Sequence, residues 1–144
     1  MITRVAIAAL VGSVVMFGLG FLIYGVLLDS YMRGSMTPEA AKTMKEMPNL
    51  FGLFVSNLAF SWMYAFVFER WAGIKTFVSG LIAGILIVVP IAIGFDLNMF
   101  STMNLTSGFT PIIVDVLAVT VLSAISAGVI GQVLGMLNKN KASD

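Results

Sequence analysis

The chain runs in long apolar stretches separated by short polar breaks, with little strict alternation inside the stretches. Four stretches reach the roughly 20 residues that a membrane-crossing helix needs. They cover about residues 5–28, 50–68, 76–95 and 111–137. Unpaired backbone is too costly in lipid for anything but helices or closed barrels. Continuous apolar runs select helices, because barrel strands alternate. The pattern therefore predicts an all-α membrane protein, one domain over 1–144 built as a four-transmembrane-helix bundle, with a short tail at 138–144. The first stretch follows Arg4 but is far longer than the roughly 7–15 apolar residues of a signal segment, so it reads as a retained helix.

One connection carries its own helical signal. Thr37-Pro38-Glu39 supplies an N-cap, proline at the first helical position and an acid near the positive end. Met36, Ala40, Met44 and Met47 recur at helical spacing, with Glu39, Lys42, Lys45 and Glu46 on the other side, and Pro48 ends the run. The spacing predicts a surface amphipathic helix over 37–47, methionines toward the membrane. A weak internal repeat pairs Asp29-x-x-Met32 with Asp96-x-x-Met99, as two parallel helical hairpins would.

Composition strengthens the membrane assignment. The 144 residues are 59% hydrophobic and 10% charged, against about 25% charged in soluble domains. A net charge of +1 gives no electrostatic case for a nucleic-acid partner. The chain has no cysteine and no histidine. That removes disulfides, thiolate sites, imidazole ligation and histidine acid–base chemistry. No cofactor, no metal and no catalytic residue is expected, and the remaining carboxylates, Tyr64 and hydroxyls make a poor catalytic set.

Small residues mark helix packing. Gly80 and Gly84 are spaced four apart in the third stretch, and Gly128, Gly131 and Gly135 follow Ala124 and Ala127 in the fourth. Such spacing lets helix backbones approach closely. It serves either the bundle itself or contact with a partner membrane protein or a second copy.

Several polar residues are candidates for a ligand or an ion. Asn57, Ser61 and Tyr64 share one face of the second helix, and Thr120 should lie at the depth of Asn57. A bond from Asn57 to Thr120 or Ser123 would be structural; a polar stripe would line a ligand path. Asp115 is the one acid inside the fourth stretch, about 6 Å in from Pro111. Asp29 and Asp96 should end on the same side, with Arg33 one turn after Asp29. Acids near one rim suit a cation or a proton, and equally serve as helix-end residues in a salt bridge. Pro90 should free the carbonyl of Leu86 and kink the third helix. Trp62 lies among phenylalanines, suited to lipid packing or to a hydrophobic ligand.

Basic residues set the orientation. Arg4, Arg70, Lys75, Lys139 and Lys141 fall on one side, and Arg33, Lys42 and Lys45 on the other. The excess places both termini in the cytoplasm.

Gly-Phe-Leu-Ile-Tyr-Gly at 20–25, Phe-Glu-Arg-Trp-Ala-Gly-Ile-Lys at 68–75 and Val114-Asp115 give the chain a recognisable cast. It resembles small bacterial four-helix integral membrane proteins that form a family of unknown function. The resemblance implies the fold and a bacterial cytoplasmic membrane, and no activity or site. The leading expectation is a non-enzymatic accessory or scaffold subunit in the lipid bilayer, packing on partner membrane proteins or itself. The alternative is a small carrier or binder of a lipid, a hydrophobic molecule or a cation, using Asp115, Asn57 and the Pro90 kink.

Overall fold

The computed structural model describes residues 1–141. Six helices follow one another. They are α1 (Ile2–Gly20, continued by a π-helical stretch Phe21–Leu27), α2 (Asp29–Gly34) and α3 (Pro38–Thr43), then α4 (Leu50–Val67, continued by π-helical Phe68–Ala72), α5 (Phe77–Thr102) and α6 (Thr110–Lys141). Four of them are long and apolar enough to cross a membrane. Among the described residues there is no strand, only one isolated bridge between Met36 and Thr106. The protein is an all-α bundle of four membrane-spanning helices.

Local chemistry sets most of the boundaries. Asn49 caps α4 by accepting the Gly52 amide at 3.0 Å. Thr76 caps α5 in the same way through Ser79 at 3.2 Å. Gly73 closes the α4 extension in the left-handed conformation, φ 62°, which glycine adopts without steric cost.

Three spans run past their expected ends. The α4 extension reaches Ala72 beyond the expected 68, α5 continues past residue 95 to Thr102, and α6 carries on through 138–141, which the sequence assigned to the tail; 142–144 lie outside the described residues. The surface helix is shorter than expected. Thr37 caps it through the Ala40 amide at 3.2 Å, but Met44 is extended, φ −69° and ψ 136°, so the helix stops at Thr43. Met47 is 80% exposed and outside any helix. Pro90 does not break α5, which runs unbroken through it, and the proline lies on the exposed side.

α6 is the centre of the bundle. It packs against α5, α1 and α4, while α1 and α4 pair with each other. Its small residues are what allow this. A Cβ placed on Gly84 would meet the Ala127 Cβ at 2.6 Å, and one on Gly131 would meet the Thr76 carbonyl oxygen at 2.6 Å. Gly80 abuts the Ala127 carbonyl, Gly135 the Lys75 carbonyl, and Gly128 the ring of Phe77. Every one of the five glycines marked in the sequence is thus occupied by the chain's own packing. On the other flank Val5, Ala8 and Met16 of α1, Tyr64 and Phe68 of α4, and Ile130 and Leu134 of α6 form the apolar core.

The two ends of the bundle are held differently. At the end carrying the termini, Arg4 donates to Glu69 through Nε at 2.9 Å and Nη2 at 2.5 Å. Asn138 Nδ2 donates to the second Glu69 oxygen at 3.2 Å. At the opposite end the loops before α3 and before α6 are clasped. Thr37 N donates to Leu105 O at 3.1 Å and Ser107 N to Ser35 O at 2.9 Å, around the Met36–Thr106 bridge. The Thr37 hydroxyl donates to Asn104 O at 2.7 Å.

Candidate functional site, an acid pair beneath the loop clasp

Asp96 and Asp115 line one cleft of about 230 Å³ at the clasp end. Asp96 stands six residues before the end of α5, about 9 Å by helix rise, and Asp115 five residues into α6, about 8 Å. The two positions are therefore at matching depth on neighbouring antiparallel helices. Both carboxyl groups belong to the walls of this one cleft, and Tyr24 lies near Asp115. Tyr24 belongs to the π-helical stretch that ends the first span. The wider turn of such a stretch re-aims side chains, and π-bulges recur at functional sites.

Apart from Thr106, the rest of the cleft is apolar. Phe95, Met99, Phe100 and Ile112 contribute walls, and Met32 reaches in from α2. Met32 and Met99 are the two methionines of the Asp-x-x-Met repeat. Phe100 also packs edge-on against Phe109 with ring centres 5.9 Å apart, tying the end of α5 to the start of α6.

No lysine or arginine lines this cleft. Asp96 Oδ2 is closed off from solvent and has no hydrogen-bond partner among the described residues. Two carboxyls this close resist double ionisation unless a proton or a cation stands between them. The arrangement is suited to taking up positive charge. It is poorly suited to a metal cage: no group of three or more acidic, cysteine or histidine side chains gathers among the described residues.

The other expected site residues are placed elsewhere. Asp29 accepts from Arg33 Nε at 2.8 Å, one turn apart on α2, with both side chains about half exposed. Arg33 therefore neutralises Asp29 and not the acid pair, and the single rim cluster of three acids and one arginine does not form. Thr120 donates to the Val116 carbonyl at 2.6 Å within α6. Tyr64 is buried, beside Ser123 and against the ring of Phe68, with centres 5.8 Å apart. Asn57 is half-buried and takes part in no side-chain hydrogen bond among the described residues, so neither the bond to Thr120 nor that to Ser123 forms. Asn57, Tyr64, Thr120 and Pro90 line neither this cleft nor its neighbour. Trp62 is 42% exposed on the outside of the bundle, as lipid packing requires.

Two features escaped the sequence reading. Tyr24 was embedded in an apolar run, and only its depth, matching that of Asp115 from the same end, could have signalled it. Glu69 and Arg4 are 65 positions apart, and no local pattern links them.

No curated protein and no solved structure matches the chain. The chain belongs to the family described as protein of unknown function DUF1761, which it matches over residues 7–131.

Proposed function

We propose that this protein is a non-enzymatic membrane binder or carrier that takes up a cation at the Asp96–Asp115 pair. The observation that supports the reading best is an intramembrane acid pair with a sealed, unpartnered oxygen and no basic residue in its cleft. Acids inside membrane spans are costly and usually mark ion or substrate paths. A positively charged ligand relieves both the repulsion between the carboxyls and the orphaned acceptor. Tyr24 beside Asp115 adds a hydroxyl that can donate to the carboxylate as the ligand comes and goes.

The competing proposal, an accessory or scaffold subunit, drew on the small-residue faces. The five glycines of those faces are filled by the chain's own packing, so they do not in themselves call for a partner. The five-to-three division of basic residues favours both termini in the cytoplasm, and the family resemblance favours a bacterial cytoplasmic membrane.

The test is saturable binding of a labelled quaternary ammonium ion to the protein in lipid nanodiscs, with empty nanodiscs as background. Wild type should bind, and the double variant Asp96→Asn, Asp115→Asn should lose at least about tenfold in affinity, the loss of one charge-assisted contact. Equal binding by wild type and double variant would exclude the acid pair as the site.

A further inference from the structure

A second cleft, of about 270 Å³, adjoins the first. Met32, Leu105, Thr106 and Pro111 belong to the walls of both, so the two are neighbours that share a wall. The second runs beneath the loop clasp toward α3, where Met36, Ala40 and Met44 complete it. It contains no charged side chain. Lys42 of α3 is exposed and contributes to neither cleft. The combined space is therefore polarised end to end: two carboxyls and a phenol at one end, methionine-rich apolar walls at the other.

That asymmetry identifies an occupant. A compact inorganic cation would satisfy the acids and leave the second cleft empty. A neutral hydrophobic molecule would fill the second cleft and leave the acids unmet. We infer that the two clefts form one binding site for an amphiphilic organic cation, its charged head at Asp96 and Asp115 and its apolar tail under the clasp against α3. The inference rests on the cation-binding reading above and adds the class of ligand. Charge complementarity fixes the head. The flexible, polarisable thioethers of Met32, Met36 and Met44 suit tails of differing shape, as methionine-rich surfaces do elsewhere.

The clasp explains how the tail is covered. The Ser35–Thr37 and Asn104–Ser107 segments pair across the opening, holding Leu105 and Thr106 between the two clefts. Ala40 is the buried residue of α3 and faces this space, so its small side chain sets the room left for a tail.

The test uses octyltrimethylammonium carrying a diazirine at the end of its tail, irradiated with the full-length protein in nanodiscs, followed by mapping of the labelled peptide. Label should fall on residues 36–44, and the Asp96→Asn, Asp115→Asn double variant should reduce it at least about tenfold. Ala40→Trp should remove the α3 label while tetramethylammonium, which has no tail, binds as before. Met44→Ser, at a half-exposed position, should weaken labelling severalfold and guards against misfolding of the tryptophan variant. Label on outward-facing residues such as Ile113 or Leu117, which line neither cleft, dependent on the acids, would overturn the tail assignment and leave the cation site standing. Label on 36–44 that persists in the double variant would instead overturn the cation site. Absence of any acid-dependent label or binding would overturn both.

Discussion

The two ends of the bundle each hold a carboxylate against helix walls, and they treat it in opposite ways. At the terminal end Glu69 has a side chain only 4% exposed, and both its oxygens are met, one by Arg4 and the other by Asn138. At the clasp end Asp96 faces a second acid, and one of its oxygens has no partner among the described residues. The first arrangement satisfies the charge at all times and joins α1, α4 and α6. The second leaves an unmet acceptor that a proton or a positively charged ligand can satisfy. A buried acid is thus informative through its partners, not through its burial.

The contrast is sharpened by breaking the satisfied end. Arg4→Met strands a buried carboxylate, and removing one partner of such a pair typically costs about 3–5 kcal/mol. A drop of that order in unfolding free energy, measured by steric trapping in bicelles, is expected, with cation binding per folded molecule unchanged. The next largest effect should come from the seam that brings Asp96 and Asp115 together. Gly84→Val forces a side chain into Ala127 and the Ser123 carbonyl, and such overpacking costs roughly 1–3 kcal/mol. Because it wedges α5 from α6, it should also weaken quaternary ammonium binding, which Arg4→Met should not. A smaller effect is expected at the clasp. Thr37→Ala removes the α3 cap and the bond to Asn104, worth about 1 kcal/mol, and should speed release of the tailed cation more than that of tetramethylammonium.

The spans were legible because apolar length is written continuously in the sequence and lipid allows the backbone few alternatives. The end of α5 was not. Asp96 looked like the residue that stops a membrane helix, but α5 carries on through it and ends at Thr102. The surface helix was overextended for a related reason: Met44 and Met47 keep the helical spacing, yet Met44 turns into an extended conformation before Pro48. The glycine stripes announced close packing correctly in kind, while their partner could be learned only from contacts such as Gly84 with Ala127. Asp115 was singled out by its isolation in an apolar run. Its companions Asp96 and Tyr24 come from other helices, and nothing local ties them to it. Asn57 and Thr120, matched by depth alone, turn to different surroundings, since depth does not fix the rotation of a helix.

The central claim is that the acid pair is kept for a ligand and not for the fold. Its most direct test measures quaternary ammonium affinity and unfolding free energy together on the double variant Asp96→Asn, Asp115→Asn. The account predicts lost binding with stability held or raised, because a pair of like acids, one with an unpartnered oxygen, is replaced by neutral amides of the same shape. Retained binding, or a destabilisation on the scale expected for Arg4→Met, would contradict it.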